Sequence, residues 1–224
     1  RDGSDAPFSP LKSVIINGKE HSLKPINGIG LDNDGNILIG INRFLLKIDA
    51  TTGKVIARWE APEGERAITT PRMNTKGEIY AMSLFGDDPN YVLKQSTTDP
   101  ATFELLRTIN LKDRILARTF DMSNDGHTLY FPDPGSPFIQ VYKSKDGIMY
   151  RREENITSMA AGSNAIQTID EKIFAAVRAS GITPTMLHYR DDSKRVMWTL
   201  SLPEMNGAEP RGITVSEDGS TIII

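Results

Sequence analysis

The residue types in this chain best suited to hold a ligand recur at one counted place. Five turn residues, Gly35, Gly77, Gly126, Glu171 and Gly219, mark repeated segments. Eight residues before each lie Asn27, Thr69, Arg118, Ser163 and Arg211. Asn164 and Arg72 are close enough for a small slip of register to bring them in. The set is polar and contains arginines, whose planar guanidinium fork fits a carboxylate or phosphate. Gathered round one centre, Asn27, Thr69, Arg118, Asn164 and Arg211 would form a ring able to hold an anionic small ligand or an acidic peptide end. Arg118 and Arg211 would supply its charge. A plainer account competes with this one: such side chains line a water-filled channel and satisfy backbone carbonyls, as buried polar groups generally do.

Other chemistries find less support. A metal-dependent hydrolase would need carboxylate and amide oxygens around a divalent ion near that centre. Asn27 and Asn164 are candidate amide ligands, but no acid falls on the counted ring and Arg118 and Arg211 would repel the cation. Asp87, Asp88 and Asp133 stand beside prolines and read as turn residues. "DNDGN" (32–36) resembles a calcium loop, which requires glycine at its sixth place and glutamate at its twelfth. Counted from Asp32 those places hold Ile37 and Arg43. His21, His127 and His188 are dispersed, and no serine lies in "GxSxG". The absence of cysteine excludes disulfides and thiol chemistry. No catalytic set, metal or cofactor is therefore expected. A further class is a protein-interaction module that presents loops such as "FGDDPN" (85–90) and "FPDPGSP" (131–137).

The bulk properties narrow the partners. The chain has 224 residues, 38% hydrophobic and 25% charged, with net charge −3. That composition sustains a packed core. Charges of both signs are interspersed, which leaves no basic stripe for nucleic acid. No apolar run reaches the length of a membrane-spanning helix. "RDGSDAPFSP" (1–10) reads as a linker or a processed start, and 11–224 as a single domain.

The elements that must position the ring are strands. "INGIGLDNDGNILIGIN" (26–42), "AITTPRMNTKGEIYAMS" (67–83), "ARTFDMSNDGHTLYFPD" (117–133), "NAIQTIDEKIFAAV" (164–177) and "RGITVSEDGSTIII" (211–224) each set a polar turn between two apolar runs. The turn markers are spaced 42, 49, 45 and 48 residues, by subtraction of their numbers. A period in the forties built of strands indicates propeller blades. Asp and Asn side chains bond nearby backbone, and glycine accepts positive φ, so "NDG" and "EDG" are hairpin signals. Glu171 takes the glycine place in the fourth copy, which predicts a differently shaped turn. Two more strand-like runs follow each of the first four hairpins. Alternation puts Ile37, Ile39 and Ile41 on one face, Val55, Ala57 and Trp59 on another, and Val196, Trp198 and Leu200 on a third. Trp59 and Trp198 are expected to pack between blades. Met73, Met82, Met122, Met149, Met159, Met186 and Met197 are expected to fill gaps.

The expected fold is thus all-β: a β-propeller of four-stranded antiparallel blades. Five blades are countable. The fifth would be shared, its inner pair from 211–224 and its outer pair from "SVIINGKEHSL" (13–23). The alternative is a fragment of a propeller of six to eight blades.

"PRGITVSEDGSTIII" and "INGIGLDNDGNILIGIN" resemble the YVTN-type bacterial β-propeller repeat, and "GKVIARWEAP" resembles that family's outer strand. No copy carries the full tetrapeptide, and "TIDEKIF" lacks the glycine. NHL-repeat and gluconolactonase-like propellers share similar turns. The resemblance implies a periplasmic, cell-surface or secreted protein with a binding role. Its alternative is a gluconolactonase-like metal-dependent hydrolase.

Overall fold

A computed structural model describes residues 12–16, 18–23, 28–63, 68, 70–83, 89–111, 117, 119–133, 138–153, 155–157, 163–169, 172–178, 184–190, 195–201, 212–216, 218 and 220–223. The described residues are all-β, with no helix among them. β1 (Ser13–Ile16) and β2 (Lys19–Ser22) form a hairpin. Unit 1 follows as the antiparallel meander β3 (Ile29–Leu31), β4 (Ile37–Ile41), β5 (Phe44–Ile48) and β6 (Val55–Glu60). Unit 2 is β7 (Thr70–Met73), β8 (Glu78–Met82), β9 (Asn90–Gln95) and β10 (Phe103–Leu111). Unit 3 is β11 (Asp121–Met122), β12 (Thr128–Pro132), β13 (Phe138–Lys143) and an outer strand in two pieces, β14 (Met149–Arg152) and β15 (Ile156–Thr157). Unit 4 is β16 (Ser163–Ile169), β17 (Lys172–Arg178), β18 (Pro184–Arg190) and β19 (Val196–Ser201). A last hairpin pairs β20 (Thr214–Val215) with β21 (Ile222–Ile223).

The turns form as their residues dictate. Gly35, Gly77 and Gly126 adopt φ of 80°, 74° and 75°. The Asp32 carboxylate accepts the Asp34 and Asn36 amides at 3.0 and 2.7 Å, and the Asn74 side chain accepts those of Lys76 and Glu78 at 3.0 and 2.9 Å. In unit 4, Ile169 pairs directly with Lys172, leaving only two residues between the strands. The copy without glycine thus makes the shorter, altered turn.

Both faces of β4, β8 and β12 are buried, so period-2 alternation sends successive side chains into different cores. Ile79 and Ala81 of β8 meet Leu38, Leu45 and Ala57 of unit 1. Tyr80 and Met82, on the other face, join Phe120, Leu129, Phe131 and Tyr142 of unit 3. Tyr130, Ile139 and Val141 of unit 3 pack on Ile166, Ile173 and Ala175 of unit 4. Val14 and Ile16 of β1 cover Ile39, Ile41, Leu46 and Ile48 of unit 1. Full burial of one such side chain stabilises by about 1.5–3 kcal/mol, so the faces between sheets carry most of the folding energy. Four-stranded meanders stacked in this way fit a propeller fold.

Alternation fails in the outer strands for one shared reason. β6, β10 and β19 each carry a bulge, at Ile56, Leu106 and Met197, where the register with the neighbouring strand skips a residue. An extra residue reverses facing on either side of it. Val55 therefore packs with Ile48 toward β1, while Ala57 and Trp59 face unit 2. Val196 likewise faces unit 3, while Trp198 meets the Phe174 ring on the opposite side at 6.4 Å. The expected common faces Val55–Ala57–Trp59 and Val196–Trp198–Leu200 are corrected accordingly. Trp59 does pack between units, against Tyr91. Met82 and Met122 are buried, but Met149 and Met197 are exposed rather than gap-filling.

Two features had no sequence signal. β10 pairs in parallel with β14, Asn110 with Met149 and Leu111 with Tyr150, which merges units 2 and 3 into one nine-stranded sheet. And β1–β2 and β20–β21 remain two separate two-stranded sheets, not one shared four-stranded sheet.

Candidate functional site

The first strands of units 1 to 3 are short, that of unit 4 is longer, and each touches the next. β3 approaches β7 so closely that a Cβ on Gly30 would fall on the Pro71 carbonyl oxygen. Only glycine permits that backbone contact. From there a line of polar contacts crosses every unit. Arg72 of β7 donates from Nη1 to the Ile29 carbonyl at 2.7 Å and to its neighbour Pro71 at 3.0 Å. Its Nη2 lies 3.4 Å from Thr119 Oγ1, and its Nε 3.6 Å from Asp121 Oδ1. Asp121 of β11 accepts the Thr168 amide of β16 at 2.6 Å, and the Thr168 hydroxyl donates to the Met122 carbonyl at 2.6 Å. Gln167 accepts the Val215 amide of β20 at 2.8 Å and donates back to its carbonyl at 3.4 Å. The innermost strands are thus stapled in chain order.

The electrostatics follow from burial. Desolvation pushes the Asp121 carboxyl above the usual range, opposed by the Arg72 charge and the Thr168 amide. Desolvation also lowers the Arg72 guanidinium, opposed by Asp121. Each charge is tolerated because the other is present. Arg72 divides its donors among two carbonyls, a hydroxyl and a carboxylate. It does what the channel-lining account expects of such a residue and has little capacity left for a ligand.

Of the ring drawn from the sequence, Asn27, Thr69, Arg118 and Arg211 lie outside the described residues, and so do the side chains of Ser163 and Asn164, whose backbones belong to β16. Among the described neighbours of that ring, Thr70, Thr119 and Ala117 are buried, Gly28 is half-buried and Gly212 is exposed. Asp87, Asp88 and most of the two loops considered for protein contacts also lie outside the described residues. Asp133 accepts a bond from Gln140 Nε2 at 3.1 Å. Among the described residues no three His, Asp or Glu converge to hold a metal ion.

Sequence reasoning missed Asp121, Gln167, Thr168 and Thr119. Gly30, Arg72 and Asp121 each stand five residues before their turn glycine. A column reading Gly, Arg, Asp on adjacent innermost strands was the available signal for an ion pair across units.

Two further polar clusters join units away from this line. Arg107 of β10 clamps Glu78 at 2.8 and 3.1 Å, and also donates to the Gly147 carbonyl of unit 3 at 2.9 Å and to Tyr80 Oη at 3.1 Å. Its bonds hold Glu78 below the usual carboxylate range. Tyr150 donates to the Gly126 carbonyl at 2.6 Å, and burial raises its phenol. Between units 1 and 2, buried Lys47 pairs with Asp32 at 2.6 Å and donates to Gln95 at 3.0 Å. Burial works to raise Asp32, but the bonds from Lys47 and Asn36 outweigh it and leave the carboxyl lowered. All these groups are paired within the protein, so both clusters read as structural.

No protein-family model and no curated protein sequence matches the chain. Among solved structures, the chain is similar to Kuenenia stuttgartiensis hydrazine synthase, with TM-score 0.60 and 17% identity over 93% of this chain and 58% of that one. It is also similar to a protein of unknown function from Bacteroides caccae, with TM-score 0.59 and 12% identity over 85% of this chain and 67% of that one. The chain therefore spans less than two thirds of the hydrazine synthase chain that it matches. Likeness at these identities carries the fold alone.

Proposed function

We propose that the chain is an extracytoplasmic binding module of the YVTN type. Its sheets are radial blades, and the segments leading into their innermost strands hold an anionic small ligand or an acidic peptide end. Arg118 and Arg211 supply the charge, with Asn27, Thr69 and Asn164 as polar partners. The observation that carries this reading is the stapled line of first strands. In this reading the residues that precede those strands would follow the same side-by-side order, and convergent polar groups there would make a binding pocket. The Arg72–Asp121 pair is consistent with it, since the buried carboxylate of the innermost strands already has Arg72 as its partner. The test is calorimetric titration with phosphate, succinate and a short acidic peptide, on the native protein and on an Arg118→Ala/Arg211→Ala variant. Binding of at least one probe, weakened about tenfold or more in the variant, is expected, equivalent to about 1.4 kcal/mol. No binding of any probe, or equal binding by both proteins, overturns it.

A further inference from the structure

Units 2 and 3 share a row of cross-strand neighbours whose chemistry differs between them. In unit 2 the row is Glu78 of β8, Lys94 of β9 and Glu104 of β10, each opposite the next. In unit 3 it is Thr128 of β12, Lys143 of β13 and Arg151 of β14. Alternation from the core residues turns each row toward the following unit. Glu78 shares the face of Tyr80 and Met82, and Lys94 that of Val92, in the core between units 2 and 3. Thr128 shares the face of Tyr130, and Lys143 that of Val141, in the core between units 3 and 4. The two rows thus occupy equivalent places at the turn ends of their units.

In unit 2 the lysine stands between two carboxylates. In unit 3 it stands between a hydroxyl and a guanidinium, so the row holds donors only. Like charges directly opposite each other on a sheet cost stability. Lys143 and Arg151 are exposed, and among the described residues neither forms an ion pair or a side-chain hydrogen bond. The described carboxylates near the row do not complete it. Asp125 accepts the Ser123 hydroxyl at 2.6 Å and the His127 amide at 2.9 Å. Asp146 accepts the Ser144 hydroxyl at 2.8 Å and the Ile148 and Met149 amides at 2.9 Å. The Glu153 amide bonds the Val141 carbonyl, which sets that residue diagonal to Lys143, about 7–8 Å away across the strands.

We propose that Thr128, Lys143 and Arg151 form an oxyanion site that takes the phosphate or sulfate group of a ligand. Opposite residues have Cβ atoms about 5 Å apart, so one tetrahedral anion reaches both cations. The guanidinium offers it paired donors, the ammonium a point charge and Thr128 a hydroxyl. The anion supplies the negative charge that Glu78 and Glu104 supply in unit 2. β11 runs from Asp121 toward the turn before Thr128, so the row lies at the far end of that strand from the segment containing Arg118. The site therefore stands or falls separately from anion binding at the inner strands.

Calorimetric titration with inorganic phosphate and with sulfate is made on an Arg118→Ala/Arg211→Ala chain, which removes the charge of the other proposed site. At least one of the two ions should still bind. Tighter phosphate assigns a phosphorylated ligand, and tighter sulfate a sulfated one. Adding Lys143→Gln and Arg151→Gln should weaken binding at least tenfold. Arg151→Glu, made separately, restores the lysine–carboxylate neighbours of unit 2. It should also lose the anion, yet melt above its parent in buffer free of both ions. No binding of either ion by the Arg118→Ala/Arg211→Ala chain overturns the proposal. Binding that survives Lys143→Gln and Arg151→Gln unchanged does the same. An Arg151→Glu chain that melts no higher than its parent contradicts the shortage of negative charge on which the site is argued.

Discussion

The junction of units 2 and 3 and the uncovered faces at β3 and at the first and last hairpins, called the seam below, are opposite cases of the same architecture. At the junction, Phe120, Phe131 and Tyr142 stack in a buried cluster, β10 pairs with β14, and Arg107 bonds both units. At the seam the same kinds of strand present Ile15, Ile29, Leu31 and Ile223 to solvent. The difference teaches what a single sheet lacks. Each meander satisfies its own backbone, but its apolar faces are covered only where another sheet stacks on them.

The largest effect expected to sharpen the contrast is Phe131→Ala, which opens a cavity in the junction core. It should destabilise by about 3–5 kcal/mol, whereas Ile15→Ala at the seam should change the stability of a single chain by about 0.5 kcal/mol or less, both read by denaturant unfolding at low protein concentration. Next is Arg107→Ala, which strands Glu78 and the Gly147 carbonyl. Because the pair is partly exposed, the loss should be about 2 kcal/mol, below the cost of breaking a fully buried pair.

A pH comparison divides the junction from the inner line. Glu78 titrates below its ordinary value, so its contribution is present above about pH 4.5 and fades as pH falls. Glu78→Gln should therefore be about 1–2 kcal/mol less stable than the unmodified protein at pH 7, with the gap closing below about pH 4. Asp121 titrates above its ordinary value, so its contribution is present in acid and is lost as pH rises through its folded value. Asp121→Asn should gain on the unmodified protein as pH rises above about 4. Melting curves from about pH 3 to pH 7 give both slopes, and slopes of equal sign would contradict the assignment. The turns give an effect of similar size. Gly35→Ala meets open space and should cost only the left-handed backbone penalty, about 1–2 kcal/mol. Gly126→Ala meets Tyr80 as well and should cost more by the same measurement.

What the sequence made legible was local. Gly35, Gly77 and Gly126 announced their turns because positive φ and a side-chain acceptor are properties of a few adjacent residues. Even the altered turn before Lys172 followed from one missing glycine. The bulges at Ile56, Leu106 and Met197 were not legible, since an apolar residue in a strand gives no sign that its partner strand is one residue shorter. The β10–β14 ladder was hidden for a related reason: backbone pairing leaves no mark in side-chain type. At the inner strands, counting located the segments but not the bonds. Arg72 and Asp121 become partners only once successive first strands lie side by side.

That adjacency is the central claim, and amide hydrogen exchange tests it most directly. The Thr168 amide is held by the Asp121 carboxylate and the Val215 amide by the Gln167 side chain, each from the preceding unit. Both should be protected in the native protein. Asp121→Ala should release Thr168 alone, and Gln167→Ala should release Val215 alone. Unprotected amides at both positions, or protection indifferent to either substitution, would mean that the innermost strands do not stand side by side.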